Sequence, residues 1–150
     1  MISFTVYGKP QQMGSKTAFV RGGKAILTDT NRERIQTWHS SIAAAAAAAM
    51  DGQPIMHGPV RVAVEFWFSR PSSHFRTGKN ANLLSKSSPE YHAQTPDVDK
   101  LLRCLLDGMS GVVYSDDRQV FETFASRKWT ISQSKADVII DSPRHKRERR

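Results

Sequence analysis

Val60, Val62, Val64, Phe66 and Phe68 place an apolar side chain at every second position. That alternation has the period of a β-strand, whose successive side chains face opposite sides. Arg61, Ala63, Glu65 and Trp67 stand between them. The second face is therefore only partly polar, which predicts a central strand. Such a strand needs neighbours and a covering layer, and the rest of the chain supplies candidates. Met1 to Tyr7 alternates in the same way and predicts a strand. Lys16–Val20 and Lys24–Leu27 flank Arg21-Gly22-Gly23 and predict a β-hairpin. Gln119–Ile131 and Ala136–Asp141 predict the last two strands. Thr30 and Glu33 form a capping box opening a helix with Ile35, Trp38, Ile42 and Ala49 along one face, which stops near Asp51-Gly52. Its second half holds seven consecutive alanines, Ala43 to Ala49. They favour helix and permit close approach of a sheet or a partner helix. A second helix is predicted over about Asp99–Met109, with Leu101, Leu102, Leu105 and Leu106 on its apolar side and Gly108 and Gly111 ending it. Val112-Val113-Tyr114 reads as a short apolar strand or turn. The order β, ββ, α, β, α, β, β predicts a single α/β (α+β) domain, a mixed β-sheet with two main helices.

Charge narrows the function. Lys and Arg number 22 against 14 Asp and Glu, a net charge of +8 in 150 residues, which points to a polyanionic partner such as nucleic acid. The charge is segregated. Residues 1–27 carry Lys9, Lys16, Arg21 and Lys24 and no acid, and residues 70–90 carry Arg70, Arg76, Lys79 and Lys86 against Glu90 alone. The segment 144–150 has five basic residues and one Glu, so the domain is expected over 1–143 with a basic tail at 144–150. Residues 71–96 are rich in Ser, Asn and His; a loop this long is functional or disordered, and it is expected to be mobile without a partner. The single cysteine, Cys104, excludes an intramolecular disulfide and a cysteine-based zinc site. The longest apolar run, Ile42 to Met50, is too short to span a bilayer, and Met1–Tyr7 lacks the layout of a signal peptide. The expectation is a soluble protein in a reducing compartment, without membrane contact.

Within this basic chain, Asp97, Asp99, Asp107, Asp116 and Asp117 fall inside 21 residues. Acids concentrated beside a long polar loop suggest a divalent ion. Mg²⁺ takes carboxylate oxygens and keeps several waters, and enzymes that cut phosphodiesters use it to activate water and stabilise the leaving oxygen. Geometry adds a condition. Residues two apart diverge on a helix but point alike on an extended chain, so Asp97 and Asp99 share an ion only if the chain is extended there. A helix start at about Asp99 is expected, with Asp117 brought back to the same end by the loop that follows. Each acid also has a plain structural role available: N-cap for Asp97 or Asp99, turn for Asp116-Asp117, helix end for Asp107. Lys100 and Arg103 share a helix face. One of them can meet a scissile phosphate, or Arg103 pairs with Asp99 or Asp107.

The run Pro96-Asp97-Val98-Asp99-Lys100-Leu101-Leu102-Arg103, then Leu106-Asp107-Gly108 and Asp116-Asp117-Arg118-Gln119-Val120, resembles the core of the RusA family of Holliday-junction resolvases, common in phages and prophages. Gly8-Lys9-Pro10 with Ser15-Lys16 resembles the family's opening strand and basic loop. The resemblance implies a homodimeric, Mg²⁺-dependent endodeoxyribonuclease that resolves four-way junctions by paired nicks in DNA recombination and repair. Mn²⁺ would be a possible substitute ion, with no small-molecule cofactor, and the setting would be the bacterial host cytoplasm. It implies Asp97, Asp99 and Asp117 as metal-binding and catalytic acids, with Asp116 assisting. Arg103 stands where the family often has lysine and Lys100 where it often has asparagine, so either is the catalytic cation. Lys9, Lys16, Arg70, Arg76, Lys79 and Lys86 are the candidate DNA contacts. Two other readings remain: a non-catalytic basic nucleic-acid-binding phage protein, and a nuclease acting on flaps or forks. Glu65 points to the metal or pairs with Arg61 or Lys128. Phe75 wedges between bases or anchors its loop. The five histidines show no metal spacing.

Overall fold

The computed structural model describes residues 1–13, 16–29 and 31–143, and for 16–21 and 24–29 the backbone only. Its elements are β1 (Ile2–Tyr7), β2 (Lys16–Arg21), β3 (Lys24–Asp29), α1 (Arg32–Met50), β4 (Val60–Ser69), α2 (Val98–Met109), β5 (Val120–Thr130) and β6 (Lys135–Asp141). β2 and β3 form the expected hairpin, and the other strands form one sheet in the order β1-β6-β4-β5. β4 is central, as its alternation requires. β6 lies antiparallel on one side, from Arg61 opposite Asp141 to Trp67 opposite Lys135. β5 lies parallel on the other, from Val60 beside Val120 to Ser69 beside Thr130. The result is a mixed sheet with two helices, an α+β domain. Among the described residues no helix is long and apolar enough to cross a membrane. Thr30 and the basic segment 144–150 lie outside the described residues; the N-cap position of α1 is Asn31, without a side-chain cap bond.

Both helices cover one face of the sheet. Val60, Val62, Val64, Phe66 and Phe68 are buried there with Val138 and Ile140 of β6. α1 buries Ile35, Trp38, Ile42, Ala46 and Met50, a stripe at three- and four-residue spacing. Ala49, expected on that stripe, is only partly buried, because a nineteen-residue helix drifts from any fixed pattern and Ala46 and Met50 take the core positions. α2 buries Leu101, Cys104, Leu105, Gly108 and Met109, while Leu102 and Leu106 are half-buried. Gly108 of α2 packs tightly against Ile42 of α1. A Cβ there would lie 3.0 Å from Cδ1 of Ile42, 3.1 Å from its Cγ2 and 3.2 Å from its Cβ. Ile42 is fully buried and has nowhere to retreat. Gly108→Ala should therefore destabilise by about 1–3 kcal/mol through overpacking, despite alanine's better helix propensity. In an Ile42→Ala background the Cδ1 and Cγ2 contacts are gone and the 3.2 Å contact with Cβ remains, so the same change should cost less, which a double-mutant cycle of urea melts measures.

Among the described residues no helix covers the opposite face of the sheet. Thr5, Ala63, Glu65, Phe124, Lys128 and Asp137 line a shallow cavity there of about 750 Å³. Lys128 pairs with Glu65 at 2.7 Å, and Thr5 donates to Asp137 at 2.7 Å. Glu65 thus belongs to this face and takes the Lys128 pairing that its sequence position allowed. β5 is an edge strand that leaves Phe121 and Phe124 exposed.

The segment 71–96, expected as a long polar loop, has local structure of its own. It folds over the end of the sheet through two short 3₁₀ turns, Ser72–His74 and Gly78–Asn80, and a bridge between Phe75 and Leu84. Arg70 Nη1 donates to Pro89 O at 2.7 Å and Arg76 Nε to Leu84 O at 3.2 Å. His92 is buried against Phe68 and Trp129, with ring centroids 4.5 and 4.4 Å away. The composition is that of a loop, but this aromatic anchor is formed with residues of β4 and β5 that no local pattern reveals.

Candidate active site

The approach to α2 is held from three directions. Arg127 of β5 donates Nη1 to Pro96 O at 2.8 Å and also to Gln94 O. Gln12 Oε1 accepts from Asp97 N at 3.1 Å, and Met13 N donates to Lys100 O at 3.2 Å. The segment so fixed puts Asp97 at the N-cap with an extended backbone, φ −72° and ψ 141°. An N-cap aspartate ordinarily accepts from the backbone of the first turn. The Asp97 carboxylate makes no cap bond. Its charged neighbour is Lys100, at 3.5 Å. Helix begins at Val98, one residue before the expected start, so Asp99 sits in the first turn and is exposed. The extended spacing from Asp97 to Asp99 is therefore interrupted by a helical residue. Arg103 is exposed one turn after Lys100 and has no ion pair among the described residues.

Asp116 and Asp117 divide their roles. Asp116 caps the 3₁₀ turn Asp117–Gln119, its carboxylate accepting from Arg118 N at 2.8 Å while Gln119 Oε1 accepts from Ser115 N and Asp116 N. The Arg118 backbone bond, with the Arg118 guanidinium, holds the Asp116 carboxyl below the usual carboxylate range. This carboxylate is committed to the turn. Asp117 is exposed, close enough to Tyr114 that its negative charge adds to burial in pushing that buried hydroxyl upward. Tyr114 donates its hydroxyl to Leu106 O at 2.7 Å. Asp107 adds to the same effect on Tyr114 and to the burial that pushes the Cys104 thiol up to about 12. Cys104 is an inert core residue.

The two acid groups lie at opposite ends of α2, which corrects the expectation that the loop after the helix returns Asp117 to Asp97. The reason is topological. α2 is the crossover between two parallel strands, so it runs back along the sheet from the end of β4 to the start of β5. Asp97 lies beside Arg127, late in β5, whereas Asp117 immediately precedes Val120, which pairs with Val60. Gln119 Nε2 fastens that end by donating to Met56 O at 2.9 Å and Gly58 O at 3.0 Å. A twelve-residue helix separates the groups by about 18 Å. Accordingly, among the described residues no three His, Cys, Asp or Glu side chains come together to hold a metal ion. Asp97 nevertheless suits Mg²⁺ as an exposed carboxylate uncommitted to the cap, and the exposed Asp99 adjoins it; this ion is commonly held by one or two carboxylates with water and substrate phosphate completing the shell, so it does not need both side chains to point alike.

Of the candidate DNA contacts, Lys9, Arg76, Lys79 and Lys86 are exposed. Arg70 and Arg76 hold the 71–96 segment by the carbonyl bonds given above. The backbone of Lys16 lies in β2, and its side chain is outside the described residues. Arg127, Trp129, Tyr114 and His92 were not singled out as site-positioning residues. Arg127 carried a faint signal, since Ala125, Arg127 and Trp129 share one face of β5 and a cation there needs partners. Burial, with the nearby Arg127 charge, lowers the affinity of His92 for a proton from the ordinary 6.5. The unfolded chain then binds a proton that the folded chain refuses, so stability is lost as pH falls from 6.5 towards the lower folded value. Urea melts between about pH 7.5 and 5.5 should show this loss, and His92→Phe should flatten it.

The chain matches the family Endodeoxyribonuclease RusA over residues 8–141. It belongs to that family, whose members are endodeoxyribonucleases. It is also similar to the uncharacterized protein YqaN of Bacillus subtilis (strain 168), at 27% identity over 139 residues, covering 93% of this chain and 94% of that one.

Proposed function

We propose that the protein is a Mg²⁺-dependent endonuclease that resolves four-way DNA junctions by paired nicks, acting as a homodimer in recombination and repair. The observation that carries this reading is the Asp97 carboxylate: an N-cap acid that does not cap, held by its backbone and flanked by Asp99, Lys100 and Arg103 at an exposed helix start. Asp97 and Asp99 would hold the ion, Mg²⁺ or in its place Mn²⁺. When bound, it would supply an activated water and charge stabilisation at the leaving oxygen. Lys100 or Arg103 would meet the non-bridging oxygens of the scissile phosphate. Lys9, Lys16, Lys79 and Lys86 would add phosphate contacts without regard to sequence.

Asp117 enters through a second copy. β5 is an edge strand with exposed Phe121 and Phe124, and such an edge is a template for pairing with another chain. A two-fold axis through the middle of β5 exchanges its ends. It would bring Asp117 of one copy towards Asp97 and Asp99 of the other. Two equivalent composite sites suit a symmetric junction.

The test incubates a synthetic four-way junction, and linear duplex of the same sequence, with and without Mg²⁺. Paired nicks in the junction alone, only with Mg²⁺, are expected. Binding without cutting in both Mg²⁺ and Mn²⁺ would instead make it a DNA-binding protein on a nuclease fold, and preferential cutting of flaps or forks would reassign the substrate.

A further inference from the structure

The open face of the main sheet carries its side chains in rows that run across the strands. Glu122 of β5, Arg61 of β4 and Asp141 of β6 stand side by side in register at one end. Phe124, Ala63 and Ile139 form the second row, and Ser126, Glu65 and Asp137 the third. Lys128, Trp67 and Lys135 form the fourth. The first row is net acidic and the fourth is basic. Between them the apolar row leaves Phe124 61% and Ile139 47% exposed. The charged side chains of the end rows are accessible, from 31% for Lys135 to 47% for Lys128. Glu65, Glu122, Asp137 and Asp141 outnumber Arg61, Lys128 and Lys135, so this face repels DNA although the chain carries a net charge of +8.

We propose that the open face packs on the open face of a second copy, about a two-fold axis lying across the strands between the second and third rows. Such an axis keeps each strand over its own counterpart and inverts the order of the rows. Glu122 then meets Lys128 of the partner subunit, and Asp141 meets Lys135 of the partner subunit, each contact occurring twice. An axis along the strands would instead lay the lysine row on itself. Phe124 and Ile139 are covered by the third row, whose acids enter already paired: Glu65 with Lys128 at 2.7 Å, and Asp137 as acceptor from Thr5 at 2.7 Å. The lysine stems span the offset that sheet twist imposes between stacked sheets. Strands of these lengths present about 1,100 Å² over two copies, the low end for a specific contact, so the pairing is reversible. Both helices lie on the other face, as does Arg127, which holds the approach to Asp97. The candidate active site therefore stays open, and the pairing does not depend on the nuclease reading. The axis crosses β5 at Ala125, the middle of the strand, where a two-fold through the β5 edge would also pass. The two pairings are compatible and together close four copies with mutually perpendicular two-folds.

The experiment measures molar mass by sedimentation equilibrium over a concentration series, without DNA. Lys135→Glu sets acid against acid at both of its contacts, and Asp141→Lys sets cation against cation. Both positions lie on β6, two strands from the β5 edge, so edge pairing does not feel them. Each variant alone should reach half the wild-type mass: two copies instead of four if the edge also pairs, one instead of two if it does not. An equimolar mixture should recover the wild-type mass, because every contact across the axis is then acid against lysine. Ile139→Glu, at an exposed position that meets Asp137 of the partner subunit, should halve the mass as well. Urea melts check that each variant is folded. Variants that keep the wild-type mass, or a mixture that stays at half, overturn the pairing. Junction nicking is a separate readout and should be the same in the wild type and the three variants. A protein that shows the mass pattern yet never nicks a junction sinks the nuclease reading alone, and one that nicks junctions without the mass pattern sinks the face pairing alone.

Discussion

Asp97→Asn should reduce junction cutting by about a thousandfold, the scale of losing one group that stabilises developing charge, while junction binding is kept or strengthened. The fold does not depend on this carboxylate, because it makes no cap bond and its nearest cation lies at 3.5 Å with both side chains about half exposed. Asparagine is as good an N-cap residue as aspartate, so melting should shift by no more than about 0.5 kcal/mol. Removing a negative charge beside bound phosphates favours DNA association. The signature is therefore unchanged stability, unchanged or tighter binding and lost chemistry. Asp116→Ala should behave differently, removing the cap of the turn at Arg118 and Gln119 with a smaller effect on cutting. Undiminished cutting by Asp97→Asn would remove this residue from the site.

Mixing two inactive proteins should restore activity. If each site takes Asp97 and Asp99 from one copy and Asp117 from the other, a mixed dimer of Asp97→Asn and Asp117→Asn collects both defects in one site and leaves the second intact. Each variant alone should be inactive. After mixing and subunit exchange, junctions should acquire single nicks at one site per dimer rather than paired nicks. If all three acids served within one chain, no combination of the two variants would contain a whole site, and mixing would restore nothing. Gel analysis of end-labelled junction strands distinguishes the two, and light scattering checks that the mixed species is a dimer.

The strands and helices were legible because their patterns are local. β4 announced its central place by carrying Ala63 and Trp67 on its second face, and the start of α2 lay within one residue of its expected position. The direction of β5 was not legible. Nothing between Val120 and Thr130 states whether the strand runs parallel or antiparallel to β4, and that choice separates Asp117 from Asp97. A clue did exist: the segment between β4 and β5 contains a helix, and a helical crossover is the usual connection of parallel neighbours. The internal structure of the 71–96 segment was not legible for a related reason. Its composition is that of a solvated loop, and its anchor is a histidine that becomes apolar in effect only between Phe68 and Trp129. Asp97 and Asp116 show the limit of reading residue type. Both are aspartates before a helical turn, and only their hydrogen bonds reveal that one is committed and the other free.

The crossover made by α2 sets a length as well as a direction. Because β4 and β5 are parallel, the helix between them acts as a ruler whose marks are the two acid groups. In a two-fold assembly through β5, that ruler fixes the interval between the two places where DNA strands would be cut. The interval would then be a property of the number of helical turns rather than of any residue in either site. Lengthening α2 by one turn would leave every acid present and its surroundings intact, yet put the partner acids of each site out of reach.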